Sequence, residues 1–147
     1  MEVVIHNIRS LFNIGACFRN CDAFGIQHLY LAGYTATPPR PEITKTALGA
    51  DQVIPWSHEP DILALLARLK QEGKTIVAFE SDPSFPSVDA VDVPEQAVVL
   101  FGNEPDGLPA HVLASADRCL YIPMKGTKTS LNVSVACGVA LYALTRK

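Results

Sequence analysis

Three short stretches of this 147-residue chain combine polar side chains with a free backbone. Asn13-Ile-Gly-Ala-Cys-Phe-Arg19 separates an amide from a guanidinium, with Gly15 and Ala16 keeping the surface between them open. Arginine is a permanent cation whose planar fork suits a phosphate. Gly102-Asn-Glu-Pro-Asp-Gly-Leu108 encloses Glu104 between glycines. In the third stretch, Met124 to Asn132, the polar loop Lys125 to Thr129 has Gly126 as its flexible point, and Ser130 opens a long apolar segment. Together they offer an anion hold, a carboxylate and a row of hydrogen-bonding groups. Read singly, Asn13 and Ser130 are helix caps and Arg19 is a surface residue.

These stretches need elements to carry them. Val3 to His6 reads as a strand, Asn13 to about Phe24 as a helix stopped by Gly25, and His28 to Ala32 as a second strand. Strand, helix, strand over so short a span is a βαβ unit, which implies parallel strands. Gly33 to Glu42 carries Pro38, Pro39 and Pro41 and is expected to be an irregular loop. There follow a short helix (Ile43 to Ala50), a third strand (Gln52 to Trp56), an amphipathic helix (Asp61 to Glu72) and a fourth strand (Thr75 to Glu80). Gln96 to Phe101 is a continuous apolar run of strand length, the pattern of a central parallel strand buried on both faces. The glycine-bracketed loop follows it directly, at the end of a strand where open α/β sheets bind ligands. Ala110 to Ala116 is a short helix, Arg118 to Ile122 a sixth strand, and a helix capped by Ser130 runs on with no visible solvent face. A helix apolar all round is buried, and in a chain this short a second copy is an economical cover.

Composition agrees with one compact domain over residues 1–147: 48% of residues are hydrophobic and 18% charged. No apolar run is long enough for a membrane helix and no secretory leader is present, so the cytoplasm is the expected location. The cysteines (17, 21, 119 and 137) form no C-x-x-C pair and the four histidines are scattered, so no metal is expected. Net charge is −3, yet Arg9, Arg19, Arg40, Lys45, Lys125 and Lys128 all lie in or beside loops and helix starts, where they could form one phosphate-binding face.

Neither G-x-x-x-x-G-K-[ST] nor a G-x-G-x-x-G after a strand occurs, which leaves the P-loop and the ordinary dinucleotide fold without support. Taken in order, the three stretches resemble the motifs of the SPOUT-class RNA methyltransferases, specifically the SpoU or TrmH family of 2′-O-ribose methyltransferases. Asn13 to Arg19 is similar to the first motif, Leu100-Phe-Gly-Asn-Glu-Pro-Asp-Gly-Leu108 to the second, and Ile122-Pro-Met124 with Ser130-Leu-Asn-Val-Ser-Val-Ala136 to the third. The resemblance covers nearly the whole chain.

It implies an α/β fold: a six-stranded, mostly parallel sheet with helices on both faces and a C-terminal deep trefoil knot. It implies a homodimer that binds S-adenosylmethionine and RNA, with no metal. Carried over by residue, Leu100, Phe101, Gly102, Asn103, Gly107, Ile122, Met124, Ser130 and Leu131 would hold the cofactor. Asn13, Arg19, Glu104, Ser130 and Asn132 would form the catalytic surface, with Asn13 and Arg19 reaching it from the partner subunit. Many relatives carry a further N-terminal RNA-binding domain, and this chain begins almost at its first strand. The expected reaction is methyl transfer to a ribose 2′-hydroxyl, of tRNA in preference to rRNA, with Arg19 orienting and stabilising the developing oxyanion. The competing class is a non-catalytic RNA or cofactor-binding module of the same fold, and identification of a methylated nucleoside separates the two.

Overall fold

The computed structural model describes residues 1–147. Six strands form one sheet: β1 (Glu2–His6), β2 (Leu29–Ala32), β3 (Trp56–Glu59), β4 (Thr75–Phe79), β5 (Ala97–Phe101) and β6 (Arg118–Leu120). Their order is β3-β2-β1-β5-β4-β6, and every pairing between them is parallel. All the strands' carboxyl ends therefore share one edge of the sheet, and the loops after β1, β2, β4, β5 and β6 gather there.

Strand residues alternate between two cores, because successive side chains point to opposite faces. On one face Val3, Ile5, Val77, Phe79, Val99 and Phe101 meet α1 (Leu11–Ala23), α2 (Pro41–Ala47), α3 (Ala50–Val53) and α6 (Val133–Thr145). On the other, Val4, Ile76, Ala78, Val98 and Leu100 meet α4 (Ile62–Gln71) and α5 (Ala110–Leu113). β5 is buried along its whole length, as its apolar run requires.

Several boundaries differ from expectation, for identifiable reasons. The third strand is Trp56–Glu59, not Gln52 to Trp56. It is an edge strand paired only with β2, so Ser57, His58 and Glu59 are tolerated and the apolar signal fades. Of the residues expected to form it, Gln52 and Val53 belong to α3, Ile54 and Pro55 to the turn after it, and Trp56 alone to the strand. The first helix begins at Leu11 with Ser10 as its cap, accepting from Asn13 N at 3.2 Å, so the Asn13 side chain is free for other work. The last helix is capped by Asn132 rather than Ser130: Asn132 Oδ1 accepts from Ser134 N at 2.9 Å and from Ser134 Oγ at 2.6 Å, bonds that Ser130 does not make.

Gly15 is buried, not an open surface. A Cβ there would collide with the Thr46 hydroxyl and the Ile43 carbonyl, so its hydrogen atom is what lets α1 lie directly on α2. Cys17, Cys21 and Cys137 are buried free thiols between α1 and α6, in keeping with a reading as small core residues. The Cys137 sulfur and burial hold the Cys17 thiol well above its ordinary range. No helix is long and apolar enough to cross a membrane.

Candidate active site

The loop leaving β5 turns back on itself. Gly107 N donates to Asn103 O at 2.9 Å, Asp106 N to Asn103 Oδ1 at 3.0 Å, and Gly107 takes a φ of +63°, where a side chain would be strained. Both bracketing glycines are sterically required. A Cβ on Gly102 would lie 2.6 Å from Gly107 O and 2.7 Å from Leu108 N, and one on Gly107 would lie 2.8 Å from the Glu80 carboxylate. Glu80, just beyond β4, clasps the far side of the loop through Leu108 N at 2.6 Å.

This fold of the loop presents Glu104 to two other elements. Glu104 Oε1 accepts from Asn13 Nδ2 of α1 at 3.1 Å and from Val133 N, the first amide of α6, at 3.0 Å. Asn132 Nδ2 donates to Asn13 Oδ1 at 3.2 Å, which closes a network among three stretches as far as 119 residues apart in sequence. A carboxylate at a helix N-terminus also gains from the partial positive charge of the terminal amides. Glu104 Oε2 makes no bond within the chain and stays available to a ligand.

Beside this network lies a pocket of about 330 Å³. Phe101, Gly102, Asn103, Gly107, Ile122, Met124, Ser130 and Leu131, eight of the nine residues that the resemblance assigned to the cofactor, line it together with Glu104. Leu100 does not: strand alternation turns its side chain into the opposite core against α4, so it offers the pocket no side-chain wall. Asn13 and Asn132 stand behind Glu104 rather than in the lining. Asn13 bonds Glu104 within one chain. Arg19 is exposed on α1, outside the pocket and outside the network.

Sequence reasoning missed Phe79, Glu80, Ser81, Thr129 and Ala136 in the lining. Glu80 was findable, since an acid directly after an apolar strand falls on the ligand-binding edge of such a sheet. It also missed Tyr34, whose hydroxyl accepts from Asn103 Nδ2 at 3.2 Å and from Arg9 Nε at 3.2 Å.

A carboxylate fixed by two amides thus stands beside a glycine-cradled pocket at the carboxyl edge of a parallel sheet, built from three separated motifs. The profile described as the SpoU rRNA methylase family matches residues 1–142. The chain belongs to that family. Over 147 residues it is 29% identical to the 23S rRNA (guanosine-2′-O-)-methyltransferase RlmB of Coxiella burnetii, an alignment covering 99% of this chain and 58% of that one. Over 147 residues it is 31% identical to the tRNA (guanosine(18)-2′-O)-methyltransferase of Thermus thermophilus, covering 100% of this chain and 75% of the relative. Among solved structures, the SpoU methyltransferase AviRb of Streptomyces viridochromogenes, crystallised with AdoMet, matches with a TM-score of 0.92 at 25% identity, covering 99% of this chain and 59% of that one. The chain thus spans about 58% of the length of the rRNA enzyme it matches. The fold is that of the family's solved members.

Proposed function

We propose that this chain is an S-adenosylmethionine-dependent RNA methyltransferase acting on a ribose 2′-hydroxyl, working from a single domain over residues 1–147. The observation that carries the proposal is the Asn13–Glu104–Asn132 network at the pocket mouth, which joins the three motifs that define the family resemblance.

The pocket suits the cofactor on its own features. Its volume falls in the range of small-molecule sites, Gly102 and Gly107 bring backbone where any side chain would intrude, and Phe79, Phe101, Ile122 and Leu131 offer apolar walls. Bound there, S-adenosylmethionine supplies an electrophilic methyl group. Residues of the chain do the rest. Glu104, held by Asn13 and Val133 N, fixes the loop and offers Oε2 to the substrate ribose; Ser130, exposed at the rim, is placed to contact the same group. Arg19 orients and stabilises the 2′-oxygen as its proton passes to solvent water, a role in which a permanently charged guanidinium serves as an electrostatic partner rather than a free base.

Since Arg19 lies outside its own chain's pocket, it acts on the pocket of a second copy. A homodimer has a surface ready for it. Val135, Val139 and Tyr142 expose one apolar face of α6, while Val133, Cys137, Ala140, Leu141 and Leu144 fill its inner face. Threading of the segment after β6 into a trefoil knot belongs to the same reading, as does a cytoplasmic location alongside RNA. We take tRNA as the substrate class, supported by the 31% identity to the Thermus thermophilus tRNA enzyme along the whole chain.

Incubation with S-adenosylmethionine and unmodified total RNA, followed by mass spectrometry of nucleosides from the tRNA and rRNA fractions, tests this directly. A 2′-O-methylated nucleoside in the tRNA fraction is the expected product. Methylation confined to rRNA would reassign the substrate, and cofactor binding without any product would leave a binding module.

A further inference from the structure

We propose that Arg9 and Tyr34 form a clamp for a phosphate of the substrate RNA, joined to the catalytic loop through Asn103; the proposal rests on the RNA methyltransferase reading above. Arg9 follows β1, Tyr34 follows β2 and Asn103 follows β5, and these strands are neighbours in the order β2-β1-β5. Their loops therefore stand side by side on the carboxyl edge, next to the pocket that Asn103 lines.

The bonding at Tyr34 points to an anion. A phenol oxygen has two acceptor sites and one donor. Both acceptor sites are taken, by Arg9 Nε at 3.2 Å and Asn103 Nδ2 at 3.2 Å, while the phenol proton has no acceptor in the chain. The Arg9 guanidinium lies 5.9 Å from the Tyr34 ring centroid, and its terminal nitrogens are likewise unpaired. What faces solvent is a set of donors with one positive charge, the complement of a phosphate oxygen pair.

The clamp is also held in place. Tyr34 N donates to Asn7 Oδ1 at 3.0 Å, and the buried Thr35 hydroxyl accepts from Ile8 N at 3.1 Å and donates to Ala32 O at 2.7 Å, tying the two loops together. Tyr34 nonetheless remains 53% exposed. An aromatic ring fixed in that way toward solvent is organised for contact.

The test uses the full chain with unfractionated tRNA as probe, measuring binding by fluorescence anisotropy across a salt series and methylation in parallel. Arg9→Ala should weaken tRNA binding about 5- to 10-fold, as loss of a charge-assisted contact implies. It should also flatten the log–log salt slope by about 0.7–0.9, the share of one phosphate. Arg9→Lys should keep the slope, and Tyr34→Phe should raise KM about threefold without changing the slope, since a neutral hydroxyl and its bonds to Arg9 and Asn103 are lost but no charge is. S-adenosylmethionine affinity by calorimetry should stay at the wild-type value in all three. A wild-type salt slope and KM for Arg9→Ala would overturn the clamp. Wild-type protein that binds tRNA with the expected slope change at Arg9 yet transfers no methyl would defeat the methyltransferase reading and leave the clamp standing.

Discussion

The network around Glu104 divides labour among side chains of similar polarity. Asn132 caps α6 with its oxygen and steers Asn13 with its nitrogen, so Asn132→Ala removes a helix cap and a positioning bond together. We expect a loss of about 1 kcal/mol in unfolding free energy from the cap, read by denaturant titration, and a larger loss in kcat. Glu104→Gln keeps an Oε1 that can accept from both Asn13 and Val133 N but replaces the free Oε2 with an uncharged amide donor; kcat should fall at least about tenfold with S-adenosylmethionine affinity nearly intact. Unchanged turnover for Glu104→Gln would remove the carboxylate from the mechanism. A second residue reports on acid stability. His6 is buried, its Nδ1 lacks a partner, and burial, then the charge of His111, lowers its pKa below the ordinary 6.5. A base with a depressed folded pKa favours the folded state only while neutral, so its contribution is complete above pH 6.5 and shrinks as pH falls below it. His28, also lowered by burial, adds a term of the same sign. Thermal melts should show His6→Gln losing less Tm between neutral and mildly acidic pH than wild type.

At the scale of elements, glycine positions decide how closely backbones approach. Gly15→Ala would press a methyl into the Thr46 hydroxyl and the Ile43 carbonyl, and should destabilise the fold by about 1–3 kcal/mol in denaturant titration despite alanine's better helix propensity. Gly102→Ala acts on the site: the added carbon meets the returning strand of the loop at 2.6 Å, so cofactor affinity should collapse before stability does. The sequence made the main elements legible wherever burial wrote a clean pattern. β5 was readable from its unbroken apolar run, α4 from Ile62, Leu65, Leu66 and Leu69 on one face, and the end of α1 from Gly25 at a φ of +65°. It was less legible where a polar residue had two possible jobs. Ser10 and Asn13, or Ser130 and Asn132, are all acceptable caps, and only the folded chain shows that Ser10 caps α1 and frees Asn13 to bond Glu104, while Asn132 both caps α6 and bonds Asn13. At Leu100 the motif carries a position but not the face to which the strand turns its side chain, which lies in the core against α4 and leaves only the backbone toward the site.

For the whole molecule, the proposed dimer raises the question of which copy supplies Arg19. If it works across a dimer, Arg19→Ala and Glu104→Ala subunits, each inactive alone, should restore about a quarter of wild-type activity when mixed and exchanged at equal ratio, because half of the dimers then hold one intact site of two. No recovery, with exchange verified by mass, would return Arg19 to its own chain. Val139→Asp, on the exposed apolar face of α6, should shift the protein toward monomer in light scattering and abolish activity with it. The reach of the network has a last consequence, for the order in which activity appears during synthesis. Asn13 is made near the beginning of the chain and Asn132 near its end, 119 residues later, so the bond between them is among the longest-range contacts in the molecule and among the last to form. While the final helix is still inside the ribosome, Glu104 lacks Val133 N and Asn13 lacks its steering amide. The network is thus incomplete while the segment from Asn132 onward is still enclosed by ribosomal RNA.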